Sequence, residues 1–224
     1  MLAPGEFFDL AEFRHAGLFA GVGAVWEALG RLSAYVSAAF GLTPEEVERR
    51  EDQGRGLIEM AAGTVVHQGA MVLGPALIGP GCHLRAGSLV RGPVILGEGA
   101  LVGHGSEVSA SVLLNEARLA HLNYVGNSIV GSRANLGAGA ICSNFKLNQQ
   151  PVTVRVGAEV HETGLAKFGA VLGDDVQLGC HAVLNPGTLI GPRTWVYPGA
   201  TLRGYYPGDH IIKVEQKLEL VPRR

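Results

Sequence analysis

The 224-residue chain has few charged residues, few aromatic residues and few cysteines. Charged residues make up 17% and the formal net charge is −2, so no overall basic field is available to hold a nucleic-acid backbone. The three cysteines, Cys82, Cys142 and Cys180, leave an odd one over and show no paired spacing, which favours a reducing compartment over a disulfide framework. No run approaches the roughly 18 apolar residues of a membrane span, and the start has no secretory-signal pattern. We therefore expect a cytoplasmic protein that binds neither nucleic acid nor membrane.

Glycine is abundant, at 33 residues, and an aliphatic residue recurs at every sixth position. This series comprises Met60, Val66, Val72, Ile78, Leu84, Val90, Leu96, Val102 and Val108. Two slips of one residue occur near Leu113 and Val130, and the phase resumes at Leu119, Val125 and Leu136. It continues at Leu172, Leu178, Leu184, Ile190, Val196 and Leu202. Neither a helical period of 3.6 nor strand alternation generates a period of six.

The hexads predict an all-β solenoid, a left-handed parallel β-helix of hexapeptide repeats, in which three hexads close one triangular coil. Coils stack at the inter-strand spacing of about 4.8 Å, so side chains one coil apart lie above one another. Four places after each aliphatic residue the side chain is small or β-branched, as a tight inside corner requires. These places are Thr64, Ala70, Ala76, Cys82, Ser88, Val94, Ala100, Ser106 and Val112. Cys82 is accordingly expected in the core.

The hexads divide the chain into three parts. Residues 1–55 are expected to form a helical appendage that covers one end, because Val25, Leu29, Leu32 and Val36 have helical spacing and Thr43 to Glu46 has a capping-box pattern. Residues 56–205 form the β-helix and 206–224 a tail. A hairpin-like loop at about 143–165 is expected to project from one corner.

The repeat is least regular around His121, where Asn123 puts an amide in a small-residue place. The string Ala117-Arg118-Leu119-Ala120-His121-Leu122-Asn123-Tyr124-Val125-Gly126, continuing through Asn135-Leu136-Gly137-Ala138-Gly139 to Asn144, resembles the acetyltransferase domain of the bifunctional glucosamine-1-phosphate acetyltransferase/N-acetylglucosamine-1-phosphate uridyltransferase family. From Lys167 to Val196 the chain is more similar to the C-terminal half of archaeal sugar-1-phosphate nucleotidylyltransferases. The nucleotidylyltransferase domain itself has no counterpart, because no glycine-rich phosphate loop is present.

The resemblance implies a homotrimeric enzyme that acetylates an amino sugar or its phosphate from acetyl-CoA. His121 would be the general base, since an amino sugar must lose a proton before it attacks a thioester. The backbone N–H near Ala138 would stabilise the oxyanion and contact the cofactor. For the acceptor, the resemblance implies Tyr124 and Asn135 on the sugar, Arg91 on its phosphate and Asn144 at the junction with the donor. For acetyl-CoA it implies Cys180 and Pro198 along the pantetheine groove and Lys213 on a phosphate.

The chain also departs from the family. Ser109, Gln150 and Thr153 stand where relatives have lysines, and Lys146 or Arg155 are the candidate replacements. Because a sugar phosphate carries nearly two negative charges, this shortage of lysines predicts that glucosamine-1-phosphate is a poor acceptor.

Two other functions stay open, since His121 and Arg91 are also consistent with ordinary surface residues. One is a binding or regulatory protein on the same scaffold. The other is a γ-carbonic-anhydrase-like metal enzyme, because His104 should stack one coil from His121. Three protein ligands are usual for catalytic zinc, and His67, His83 and His181 do not share a hexad place, so we expect no metal. The sequence does not identify the acceptor sugar, the acyl group or the pathway.

Overall fold

A computed structural model describes residues 2–51 and 56–223, and its main body is a parallel β-helix with three sheets. Sheet A contains Ile58–Met60, Ala76–Ile78, Val94–Leu96, Val112–Leu113, Ile129–Val130, Ala170–Leu172, Thr188–Ile190 and Tyr205–Tyr206. Sheet B contains Val65–Val66, His83–Leu84, Leu101–His104, Arg118–His121, Asn135–Leu136, Gln177–Leu178, Trp195–Val196 and Ile211–Ile212. Sheet C contains Met71–Leu73, Leu89–Arg91, Glu107–Ser109, Tyr124–Gly126, Ile141–Cys142, Val183–Leu184 and Thr201–Leu202. The predicted fold class, a left-handed parallel β-helix, is confirmed.

The strand register follows the hexads. Ile78 pairs with Leu96, and Val90 pairs with Val108, so equivalent residues are one coil apart. Their side chains form a central core with the small corner residues, including Cys82 and Ala100, which are fully buried. The hexad series is therefore the inward column of each sheet.

Both predicted slips are coils shortened by one residue. Leu96 pairs with Leu113, which pairs with Val130. At the shortened corners Ala110 and Asn127 have φ values of 46° and 45°, in the left-handed region that asparagine tolerates better than alanine. The first slip makes one corner assignment wrong: Val112 pairs with Ile95 and faces outward, while the buried Ser111 takes the corner.

The N-terminal segment contains two 3-10 turns, Pro4–Glu6 and Ala16–Phe19, followed by helices α1 (Glu27–Ala39) and α2 (Pro44–Glu51). Leu29, Leu32 and Val36 lie in α1 as predicted, with Leu32 and Val36 buried, whereas Val25 is buried but lies before the first residue of the helix. The capping box is also present. The Thr43 N–H donates to Glu46 Oε2 at 2.8 Å, and the Glu46 N–H donates to Thr43 Oγ1 at 3.3 Å.

The N-terminal segment covers the outer face of sheet A. The expectation that it covers one end of the β-helix is therefore wrong. Beyond the first strand, whose outward residue is Glu59, the outward residues of sheet A are apolar and pack beneath N-terminal aromatic and aliphatic side chains in a second core. The sheet contributes Leu77, Ile95, Val112, Ile129, Val171 and Leu189, and the segment contributes Phe7, Phe8, Phe13, Leu18, Phe19, Val25 and Trp26 among others. An uncovered apolar sheet face would cost about 25 cal/mol per Å² in contact with water.

The loop at 143–165 forms the expected hairpin, of antiparallel strands Thr153–Val156 and Glu159–Glu162. It does not project freely: Val152 and Val154 are fully buried in the second core. The β-helix also continues past residue 205, since Ile211–Ile212 pairs with Trp195–Val196. The predicted boundary at residue 55 lies outside the described residues.

Asp174 attaches the N-terminal segment to the β-helix. Its two carboxylate oxygens accept the N–H groups of Asp9 and Ser132, each at 2.7 Å, and its own N–H donates to Phe7 O at 2.9 Å. Burial raises the pKa of Asp174, while the two N–H donors act in the opposite direction. The next residue, Asp175, instead forms an exposed two-bond ion pair with Arg133.

We predict that Asp174→Asn lowers the free energy of unfolding by about 1–3 kcal/mol, because an amide cannot accept both buried N–H groups. The neighbouring Asp175→Asn removes only an exposed ion pair and should cost no more than about 1 kcal/mol. Chemical denaturation of the two variants measures the difference. Equal effects would contradict the attachment role of Asp174.

Candidate functional site

His121 lies at the corner between sheets B and C, and the buried Asn123 shapes this corner. Asn123 Oδ1 accepts the His121 N–H at 3.1 Å, and its Nδ2 donates to Gly137 O at 2.7 Å in the next coil. Asn123 is 2% exposed, so a satisfied amide takes the place of a small side chain. It joins the His121 backbone to the coil that contains Ala138.

Two exposed histidines lie one coil apart at this corner, since the backbone of His121 pairs with that of His104. His104 Nδ1 lies 2.6 Å from Ala86 O, and Nδ1 is the donor because a carbonyl oxygen only accepts. Within residues 2–51 and 56–223, the His121 ring makes no hydrogen bond. His121 is thus accessible to a ligand, while His104 is bound to the wall.

Ala138 follows His121 by one coil, as expected. The Gly139 N–H donates to His121 O at 3.0 Å, and Ala138 O accepts the His181 N–H at 2.9 Å. The Ala138 N–H has no hydrogen-bond acceptor among the described residues. An unpaired backbone donor beside a histidine is suited to a developing oxyanion.

The residues implied for acetyl-CoA lie in the following coils. Cys180 and Pro198 line one cavity of about 350 Å³, together with Tyr197 and Gly199. Lys213 Nζ lies 5.9 Å from the centre of the Tyr197 ring. The structure therefore brings Cys180, Pro198 and Lys213 to the same corner, above Ala138.

Three of the residues implied for the acceptor share a second cavity. It lies at the other end of the sheet C strands, at the corner between sheets C and A. Its volume is about 530 Å³, and it contains Arg91, Tyr124 and Asn144. Asn144 Nδ2 donates to Asn127 Oδ1 at 2.7 Å, and Arg91 Nε donates to Glu107 Oε1 at 2.8 Å. Ala110 and Asn127 also line this cavity, so it lies where the coils are shortened. We call it the acceptor cavity.

Lys167 also lines the acceptor cavity, and the sequence pattern does not predict this. Lys167 lies just after the inserted segment, outside the positions at which Arg91 and the replaced lysines match the family. Arg91 is partly neutralised by Glu107, but Lys167 forms no ion pair with the described residues. The prediction that glucosamine-1-phosphate is a poor acceptor rests on a shortage of positive charge. With Lys167 in the cavity, that shortage is smaller than expected.

Two other predicted acceptor residues lie elsewhere. Asn135 is on sheet B between Arg118 and Gln177, in a separate hollow of about 320 Å³. Lys146 Nζ donates to Pro151 O at 3.0 Å and lines a cavity next to the acceptor cavity. One chain thus assembles only part of the implied acceptor site.

Within the described residues, no group of three or more histidine, cysteine or acidic side chains is arranged to hold a metal ion. The histidine pair at the corner is one short of the three protein ligands that are usual for catalytic zinc. In the same part of the chain, no helix has the length and apolarity needed to cross a membrane.

The stacked parallel coils, with a hexad on each of three sheets, define a hexapeptide-repeat β-helix protein. The profile of the GMPPB C-terminal domain matches residues 72–196, and the chain belongs to that family. The chain is 27% identical over 108 residues to the bifunctional protein GlmU of Methanococcus aeolicus, in an alignment that covers 48% of this chain and 26% of the relative. It is 34% identical over 86 residues to the bifunctional sugar-1-phosphate nucleotidylyltransferase/acetyltransferase of Sulfurisphaera tokodaii, covering 38% and 21%. The matched part spans about a quarter of these relatives.

Solved structures with similar coils include a perosamine N-acetyltransferase variant of Caulobacter crescentus in complex with CoA and GDP-perosamine. Its identity is 17% and its TM-score 0.33, over 81% of this chain and 70% of that one. A hexapeptide-repeat acetyltransferase of Vibrio cholerae complexed with acetyl-CoA has 18% identity and a TM-score of 0.31, over 94% and 89%.

Gly126 allows the acceptor cavity to form. A Cβ at this position would lie 2.5 Å from Asn144 Nδ2 and 2.6 Å from Tyr124 Oη. We predict that Gly126→Ala displaces both side-chain ends with little loss of stability, and weakens acceptor binding about tenfold or more. Gly5→Ala is the control, because its Cβ would meet nothing within 4 Å. Melting temperature and the KM for the acceptor measure the two effects. An unchanged KM would contradict a role of this cavity in acceptor binding.

Proposed function

We propose that the protein is an acyltransferase that transfers the acetyl group of acetyl-CoA to the amine of an amino sugar or amino-sugar phosphate. The observation that carries the proposal is the corner itself. An exposed His121 and an unpaired Ala138 N–H lie in successive coils, below the cavity of Cys180 and Pro198. The names of the bifunctional relatives, one of which includes acetyltransferase, support the same chemistry.

In the proposed reaction each group has one role. His121 accepts a proton from the sugar ammonium or from the attacking amine, whose lone pair then forms a bond to the thioester carbon. The Ala138 N–H donates to the oxyanion of the tetrahedral intermediate. Collapse of the intermediate breaks the carbon–sulfur bond, and the thiolate of CoA takes up the proton that His121 received from the amine.

We predict that His121→Ala lowers kcat/KM by about 10²–10⁴, the usual contribution of a general base. The melting temperature should change little, because the side chain is exposed. His104→Ala is the matched control and should cost less than about tenfold. Release of free thiol from acetyl-CoA, with a panel of amino sugars, measures both.

Three outcomes would count against this assignment. Activity of His121→Ala within a few-fold of the parent would contradict it. A greater loss in His104→Ala would transfer the role to His104. No thiol release with any amino sugar would favour the alternative of a binding protein.

We further propose that the working form is a homotrimer. The N-terminal segment covers sheet A, whereas sheets B and C expose large apolar side chains such as Trp195 and Ile141 on either side of His121. Cyclic association of identical chains would bury these faces. It would also let a neighbouring protomer supply acceptor contacts that one chain does not assemble.

Light scattering should therefore give three times the 23.4 kDa mass of the chain. Ile141→Arg should dissociate the assembly, because it places a charge on the outer face of sheet C, while Arg49→Gln, at an exposed position of helix α2 away from sheets B and C, should leave the mass unchanged. A parent protein that is monomeric at micromolar concentration would contradict the proposal.

A further inference from the structure

A cavity of about 520 Å³ adjoins the acceptor cavity, and Phe145 lines both. Its polar lining consists of Ser143, Lys146, Asn148, Asn185 and Arg203. No carboxylate lines it, and neither Lys146 nor Arg203 forms an ion pair with the described residues. Two cations without counter-charges indicate an anionic ligand. We call this cavity the phosphate cavity.

The β-helix builds one wall of the phosphate cavity by stacking. Cys142 pairs with Leu184, which pairs with Leu202. The residues that follow these three, Ser143, Asn185 and Arg203, therefore occupy equivalent places in three successive coils. The inserted segment supplies the other wall, where Lys146 is held by its bond to Pro151 O at 3.0 Å.

Phe145 supplies a flat apolar surface at the junction of the two cavities. Its side chain is 44% exposed, and an exposed aromatic ring stacks well on a nucleobase, at about 1–3 kcal/mol per base in other proteins. The cavity volume is within the range of about 300–1,000 Å³ that is typical of small-molecule sites.

We propose that the phosphate cavity binds a nucleoside diphosphate, with the phosphates on Lys146 and Arg203 and the base on Phe145. This deepens the proposed function, because the acceptor would then be a nucleotide-linked amino sugar whose sugar occupies the adjoining acceptor cavity. The site differs from the one proposed for acetyl-CoA. Cys180 and Pro198 lie at the corner of sheets B and C, whereas Ser143, Asn185 and Arg203 lie at the opposite edge of sheet C.

Calorimetric titration of the full chain with uridine diphosphate and with guanosine diphosphate tests the site, with uridine and inorganic pyrophosphate as the separate parts. At least one of the nucleoside diphosphates should bind below about 1 mM and more tightly than either of its parts. Arg203→Gln should weaken that binding about tenfold or more, as expected for a lost charge-assisted hydrogen bond. Arg85→Gln, at an exposed arginine just after strand His83–Leu84, is the control and should change it less than twofold. Phe145→Ala should weaken the nucleotide but leave pyrophosphate unchanged.

The proposal is overturned if neither nucleotide binds below about 1 mM, if Arg203→Gln leaves the affinity unchanged, or if saturating CoA displaces the nucleotide. The titration requires no turnover. A chain that acetylates nothing can therefore still bind the nucleotide, and an active acetyltransferase can fail to bind it, so the two proposals fail separately.

Discussion

The fold depends on one constraint: each inward aliphatic side chain must lie directly above the equivalent side chain of the next coil. Parallel strands supply evenly spaced backbone hydrogen bonds at about 4.8 Å, and this spacing suits direct stacking of columns such as Val90 on Val108. A coil of constant length keeps every column aligned and every face alike. Distinct sites can therefore arise only where a coil changes length or a corner changes its residue. The chain does both, with shortened coils at Ala110 and Asn127 and a buried amide at Asn123.

The covering of sheet A follows from the same constraint. A strand two or three residues long has one inward side chain per hexad, and its outward neighbours are exposed unless another element packs on them. In sheet A these neighbours are apolar, as at Ile95 and Ile129, and the N-terminal segment and the hairpin bury them. The outward positions of sheets B and C are mixed, as with Glu107 between Leu89 and Tyr124. The second core therefore selects which two faces remain for partners and ligands.

The sequence predicts what depends on local periodicity. The inward columns, helix α1, the capping box at Thr43 and the stacking of His104 on His121 all follow from spacing. It does not place the slip within its corner, because Ser111 and Val112 both suit a tight turn and only the register to Ile95 distinguishes them. Lys167 and the cover on sheet A were also missed, since both depend on where an inserted or appended segment folds back. An amphipathic helix indicates that it packs against something, but its sequence does not name the surface.

The distance between the His121 corner and the acceptor cavity limits which acceptors the proposed reaction can use. His121 lies at one edge of sheet C and Asn127, in the acceptor cavity, at the other. Strand Tyr124–Gly126 lies between them and spans about 10 Å at about 3.3 Å per residue, which is longer than one sugar ring. Within a single chain, the amine can reach His121 only if the acceptor is extended. A short amino sugar instead requires the histidine of one protomer to face the cavity of another. The cations Lys167, Lys146 and Arg203 all lie at the edge away from His121. In the proposed reaction, anchoring charge is therefore kept apart from His121, which must remain able to accept a proton.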